Sequence, residues 1–249
     1  MPEIITYVSV FLIGLFANFI GSMVGSGGLL IISFLVFIGL PPQIAIATNK
    51  LGTFGLYIGA TPKFLKAKKI HWKYVPIFIL ISLLGAYIGA NILLSISNEI
   101  LTKIIGIIVL LMVPILLIKN NLGVKHHKVN AIKKLIGYFA YFLIMIFAGF
   151  FGGGAATLMF FSLMFFFGFT INEANGTTTI PWLFLSLASL IIFAINGIVD
   201  YGLGITLLIG SIIGGRIGAH TAIEKGNKWV KAIFIGMLII SGIKFLFFG

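Results

Sequence analysis

The chain has 249 residues, 60% of them hydrophobic and 9% charged, with a mean hydropathy of +1.19. Five acidic residues cannot coat a water-facing surface of this size, so a soluble globular domain is excluded and lipid sets the fold. Most of the 17 Lys and Arg, which give a net charge of +12, fall in or beside the loops between apolar runs, marking membrane topology rather than nucleic-acid binding.

The absence of cysteine excludes disulfides, thiolate catalysis and cysteine metal sites. The first stretch, MPEIITYVSVFLIGLFANFIG, lacks a basic leader and runs into further apolar sequence, so it reads as a membrane helix and not a cleaved signal. Ten apolar segments follow one another near residues 4–23, 26–40, 43–62, 73–96, 99–118, 132–151, 154–169, 172–197, 202–222 and 228–248. They are rich in Leu, Ile, Phe and Ala without period-2 alternation. The fold class is therefore an all-α membrane protein and not a transmembrane barrel.

Most segments have the roughly 20 residues needed to cross a hydrocarbon core. The second and seventh are shorter, and each follows a glycine cluster: Gly25-Ser26-Gly27-Gly28 and Gly152-Gly153-Gly154. Such segments are short spans or half-helices that enter the membrane and stop.

The polar stretch 119–135, KNNLGVKHHKVNAIKKL, divides the chain into two halves of five segments. We take 1–118 as the first repeat, 119–131 as a basic cytoplasmic linker and 132–249 as the second repeat. At an offset of 129 residues, Gly25 meets Gly154, Ser33 meets Ser162, Gly39 meets Gly168 and Thr48 meets Thr177. Further on, Ile70-His71-Trp72 lies over Val199-Asp200-Tyr201, and Gly85-Ala86-Tyr87-Ile88-Gly89-Ala90 over Gly214-Gly215-Arg216-Ile217-Gly218-Ala219. Register held over this distance indicates duplication.

Charge then orients the halves. The loop after segment three carries Lys63, Lys66, Lys68, Lys69 and Lys73, whereas its counterpart NGIVDYG has Asp200 and no lysine. The loop after segment four holds Glu99, whereas its counterpart holds Lys225 and Lys228. Basic short loops face the cytoplasm. Residues 63–73, 119–135 and 223–231 are thus expected inside a cytoplasmic membrane, with both termini outside and the halves inverted. Inverted repeats are a transporter architecture.

The doubled order of a glycine-rich break, an Ala-x-x-Thr element, an Ile-His-Trp or Val-Asp-Tyr turn and a Gly-x-x-x-Gly-Ala helix resembles the sulfite exporter TauE/SafE family. That family is also grouped as toluene-sulfonate uptake permeases, and the likeness covers about residues 8–247. The resemblance implies transport of small anions such as sulfur oxyanions or organosulfonates. Two departures leave the substrate open. The first break reads Gly-Ser-Gly-Gly where members often show three glycines, and Thr177-Thr178-Thr179 stands where Thr-Ser pairs are common.

A helix that starts inside the membrane presents free N–H groups and a partial positive charge, and glycine lets a ligand approach its backbone. Gly25, Ser26, Gly27 and Gly28 with Gly152, Gly153 and Gly154 are therefore the first set of substrate-binding candidates; tight helix packing is the plainer reading of such glycines. The second set is Thr48, Asn49, Thr177 and Thr178, polar groups at the starts of segments three and eight, for which capping and interhelical bonding compete. Lys50 joins them. A lysine inside a span costs on the order of 2.5–3.5 kcal/mol and so faces a cavity or partner, unless it snorkels to the outer interface.

Glu173 opens segment eight and reads as a helix-start carboxylate, or, in a proton-coupled carrier, as the proton-bearing group. His126-His127 has no carboxylate or third histidine near it in sequence, so a solvated basic loop is expected there and no metal site. Trp72, Trp229 and Tyr201 suit interfacial anchoring. No Walker-type motif, H-E-x-x-H or Ser/His/Asp grouping is evident, so neither ATP use, an enzyme activity nor a cofactor is expected. The expected partners are a small anion and lipid; a homo-oligomer is compatible with this reading, and the alternatives are an anion channel of the same architecture or a carrier for other small organic anions.

Overall fold

The computed structural model describes residues 3–25, 27–97 and 123–248, with side chains through residue 233. The fifth apolar segment, 99–118, and Ser26 lie outside the described residues. Within them the chain is helical and has no strand. The helices are α1 Glu3–Val24, α2 Gly27–Phe37, α3 Pro42–Lys66, α4 Val75–Ser95, α5 Ala131–Phe150, α6 Ala155–Ser162, α7 Ile171–Ile195 and α8 Tyr201–Phe248. A π-helical turn, Leu163–Phe167, extends α6, and two helical runs of α8 meet at Gly226 (φ 78°, ψ 174°).

Local chemistry fixes these boundaries. Pro42 sits at the start of α3 and Pro76 in the first turn of α4, where a missing N–H costs nothing. Asn130 Oδ1 accepts from Lys133 N at 2.9 Å to start α5, and Asp200 Oδ1 accepts from Leu203 N at 2.9 Å to start α8. Three pairs of positions separated by the 129-residue offset share a left-handed backbone: 25 with 154, 39 with 168, and 68 with 197. Two of these pairs bound the short helices. α2, with 11 residues, reaches only about 16 Å at 1.5 Å per residue, about half of a hydrocarbon core.

Five of the helices are long and apolar enough to cross a membrane: α1, α4, α5, α7 and α8 as far as Ile233. α3 is as long as α7 but carries Asn49 and Lys50 in its interior. Small residues set the packing. A Cβ on Gly210, Gly214 or Gly218 of α8 would collide with the carbonyls of Phe11, Leu15 and Phe19 on α1, and Gly85 and Gly89 of α4 lie equally close to Met145 and Ile146 on α5. The Gly-x-x-x-Gly pairs are thus packing surfaces.

The same contacts give helix directions. α1 and α3 both run parallel to α8, and α5 runs parallel to α4. α3 opposes α4, because Gln43 at its start donates to Leu93 O and Ile96 O at the far end of α4. α3 also opposes α7: Thr48 meets Asp200, Tyr57 stacks on Trp182 and His71 meets Thr177. One group, α1, α3 and α8, therefore points one way, and α4, α5 and α7 point the other. Leu84, Phe139, Leu143, Ile191 and Ile209 are exposed, as a lipid-facing belt requires.

The three basic stretches gather on one face. The rings of His71 and His126 lie 5.7 Å apart, Asn227 donates to Val124 O at 3.3 Å, and Asn172 N donates to Asn227 Oδ1 at 3.3 Å. The opposite face carries the starts of α1, α3 and α8 with the end of α4.

Candidate functional site

The two glycine breaks touch. α2 folds back along α1, with Gly27 against Ala17, and the start of α6 packs on the end of α1. Gly25 (φ 85°) leaves no room for a side chain, since a Cβ would lie 2.7 Å from Thr157 N. Gly28 faces the other break, with Gly152 O 3.7 Å from where its Cβ would stand, whereas Gly153 has no room for a side chain: a Cβ there would lie 2.8 Å from the Phe151 ring and 3.3 Å from Leu29 Cα. Thr157 Oγ1 donates to Val24 O at 3.1 Å, joining the first turn of α6 to the last carbonyl of α1.

Each break is also held by a polar side chain from the other half. Asn175 of α7 donates to Ser22 O near the end of α1, and Lys50 of α3 donates to Ala148 O near the end of α5 at 2.6 Å. Both satisfy carbonyls that a helix end leaves without a partner. Lys50 is 2% exposed, so it does not snorkel to the interface. Its Nζ would stand 3.4 Å from a Cβ on Gly152, and among the described residues no carboxylate pairs with it. An ammonium has three donors, and one is used on Ala148.

Between the breaks lies a cavity of about 20 Å³, bordered by Gly25, Gly27, Gly28, Gly152, Asn18 and Trp182 among others. Trp182 Nε1 is buried without a hydrogen-bond partner, as is Asn49 Oδ1. The Asn49 side-chain nitrogen would lie 3.3 Å from a Cβ on Gly28. The ring of Trp182 is fixed by stacking on Tyr57, centroids 5.6 Å apart. The cavity wall thus offers the unpartnered Trp182 N–H, with the Lys50 ammonium and the Asn49 amide close to the glycines that border it. An anion there would have to accept from these groups while avoiding Asn49 Oδ1.

Of the residues singled out by sequence, Gly25, Gly27, Gly28, Asn49, Lys50, Gly152, Gly153 and Gly154 come together here. The other described candidates lie elsewhere. Thr48 Oγ1 accepts from Asp200 N at 3.1 Å, Thr177 Oγ1 accepts from His71 N at 3.0 Å, and Thr178 donates to Ala174 O in its own helix. Glu173 lies on the basic face as the partner of Thr170 in a capping box, with Thr170 N donating to its Oε2 at 2.8 Å. Sequence reading passed over Trp182, Tyr57 and Thr53. Asn49, Thr53 and Tyr57 repeat every four residues on one face of α3, and Trp182 sits mid-span where interfacial anchoring does not apply.

The basic face differs from expectation at His126. His71 and Glu173, distant in sequence, lie against it, so the histidine is not a solvated loop residue alone: its Nδ1 is 3.2 Å from Glu173 Oε2. His71 Nε2 is 3.5 Å from Glu173 Oε1.

Comparison with known proteins gives the family. The family model for the sulfite exporter TauE/SafE matches residues 10–245. A probable membrane transporter protein of Haemophilus influenzae is 26% identical over 237 residues, covering 95% of this chain and 93% of the relative. The probable membrane transporter protein YfcA of Escherichia coli K12 is 26% identical, with 95% and 88% covered, and YunE of Bacillus subtilis is 24% identical, with 98% of both covered. No solved structure matches the chain. With its apolar spans and a match over nearly its whole length, this multi-pass membrane protein is a membrane transporter and belongs to the sulfite exporter TauE/SafE family.

Proposed function

We propose that the chain is a secondary carrier of small oxyanions, either sulfur oxyanions or organosulfonates, that works by alternating access between two inverted repeats, 1–118 and 132–249. The observation that carries this reading is Lys50, a buried ammonium without a carboxylate, set where two helix breaks meet. An anion between the breaks would supply the missing counter-charge. It would accept from Trp182 Nε1, from the Asn49 amide and from the first N–H groups of α2, which no preceding turn can satisfy.

The opposed directions of the two helix groups and the matched left-handed positions support inverted repeats. The gathering of the basic stretches on one face supports a cytoplasmic position for the linker and an outside position for both termini. A cavity of about 20 Å³ has room for a water molecule and not for an oxyanion, so loading requires the breaks to part. Rocking of α1, α3 and α8 against α4, α5 and α7 would part them, which favours a carrier over a continuous channel. The family description supplies the sulfur-oxyanion class.

Uptake of labelled sulfite, thiosulfate and an alkylsulfonate into proteoliposomes tests the reading. Saturable uptake with counterflow is expected for at least one of them, and Lys50→Met should reduce it at least about tenfold, the effect of removing one charge-assisted partner. Unitary currents, or wild-type uptake by Lys50→Met, would overturn it.

A further inference from the structure

The basic face holds a side-chain cluster that the carrier reading leaves unused. His71 comes from the loop between α3 and α4, His126 from the linker and Glu173 from the first turn of α7. Their ligand-capable atoms all lie within 4.8 Å of one another. His126 Nδ1 lies 3.2 Å from Glu173 Oε2 and His71 Nε2 lies 3.5 Å from Oε1. Each imidazole thus approaches one carboxylate oxygen at close to the spacing of about 3.3–3.4 Å between neighbouring ligands of a tetrahedral ion bonded at about 2.0–2.1 Å.

The groups are also held in place. The backbone N–H of His71 donates to Thr177 Oγ1 at 3.0 Å, its ring stacks on Phe169 with centroids 4.5 Å apart, and its Nε2 is buried without a hydrogen-bond partner. Glu173 is oriented by Thr170 N at 2.8 Å. Outer contacts of this kind orient metal ligands before the ion arrives. Two imidazoles aimed at one carboxylate each need a proton to bond it, and one divalent ion replaces both protons.

We propose that His71, His126 and Glu173 form a site for a divalent transition metal of the zinc class. The proposal does not depend on the carrier reading. Two imidazoles and a carboxylate leave coordination positions open. His71 and His126 border a cavity of about 310 Å³ whose wall includes Lys128 and Lys134. These lysines oppose a bare dication and favour one whose open position carries an anion. An ion here joins the 63–73 loop, the linker and the start of α7, and so fastens the basic face.

The test is calorimetric titration of zinc chloride into the purified full-length chain, prepared without a polyhistidine tag. One saturable zinc ion per chain is expected, with a rise in melting temperature that EDTA reverses. His71→Ala and His126→Ala should each weaken binding by at least about tenfold through loss of a ligand, while His127→Ala leaves it unchanged. Should His126→Ala fail to run as a single species on size exclusion, His126→Cys retains a ligand and should bind zinc. No stoichiometric zinc on the wild type, or wild-type affinity in the His71→Ala and His126→Ala variants, overturns the site.

Discussion

The hydroxyl of Thr48 accepts the backbone N–H of Asp200 at 3.1 Å, across 152 residues of chain. Moving both residues along by the 129-residue offset, in opposite senses, gives Thr177 and His71, and those two make the same bond at 3.0 Å. In each case a threonine nearly two turns into a long helix satisfies a loop N–H that leads into a helix of the other half. The pair ties the two halves of the sequence at opposite faces, one bond on the basic face and one on the face that holds the helix starts.

Because the two bonds are equivalent, Thr48→Val and Thr177→Val should cost alike. Each leaves one part-buried N–H without an acceptor, a loss toward the lower end of the roughly 1–3 kcal/mol that a buried group would cost. Scanning fluorimetry in detergent should show both melting temperatures lowered by similar amounts. A drop in only one variant would mean that the second bond is dispensable and the equivalence superficial.

The chain has no cysteine, so single-cysteine labelling needs no background removal. Lys66→Cys and Lys128→Cys, on the basic face, should resist a membrane-impermeant maleimide in intact cells and react after lysis. Ile195→Cys, exposed at the end of α7, should react in intact cells. The reverse pattern would place the basic face outside and reject the orientation drawn from charge.

The glycines of the first break separate folding from transport. Gly25→Ala adds a Cβ 2.7 Å from Thr157 N at a positive φ, so it should lower the yield of folded protein. In Gly28→Ala the new Cβ lies 3.3 Å from Asn49 Nδ2, 3.7 Å from Gly152 O and 3.8 Å from Gly153 Cα, and the one tight neighbour is an amide side chain that can shift. That variant should fold while oxyanion uptake falls, since the methyl group stands where the two breaks face each other. Wild-type uptake by folded Gly28→Ala would remove the breaks from the transport path.

Much of this arrangement was legible in the sequence because lipid leaves few options. Hydropathy marks the spans, and glycine clusters mark the breaks around the short α2 and α6. Doubling of motifs placed Thr48 opposite Thr177, although the structure gives both a tie to the other half and not a place beside Lys50. What sequence spacing does not encode is which polar groups converge across the fold. Nothing near His126 in the chain announced His71 or Glu173, which a loop and a capping box bring to it. Trp182 was missed for the same reason: its indole N–H is notable only once the cavity beside it is seen.

Trp182 therefore provides the sharpest test of the cavity. Trp182→Phe keeps a ring to stack on Tyr57 and removes an indole N–H that is buried without a partner. Packing is largely retained, so expression and melting temperature should stay near the wild type. If the N–H donates to a bound anion, its loss should cost about 1.5–3 kcal/mol, the range for a hydrogen bond to a charged group. That corresponds to a rise in KM for oxyanion uptake of roughly 10- to 150-fold. A variant that folds and transports with unchanged KM would show that the anion does not pass Trp182, and would shift the site toward Lys50 and the Gly152 break alone.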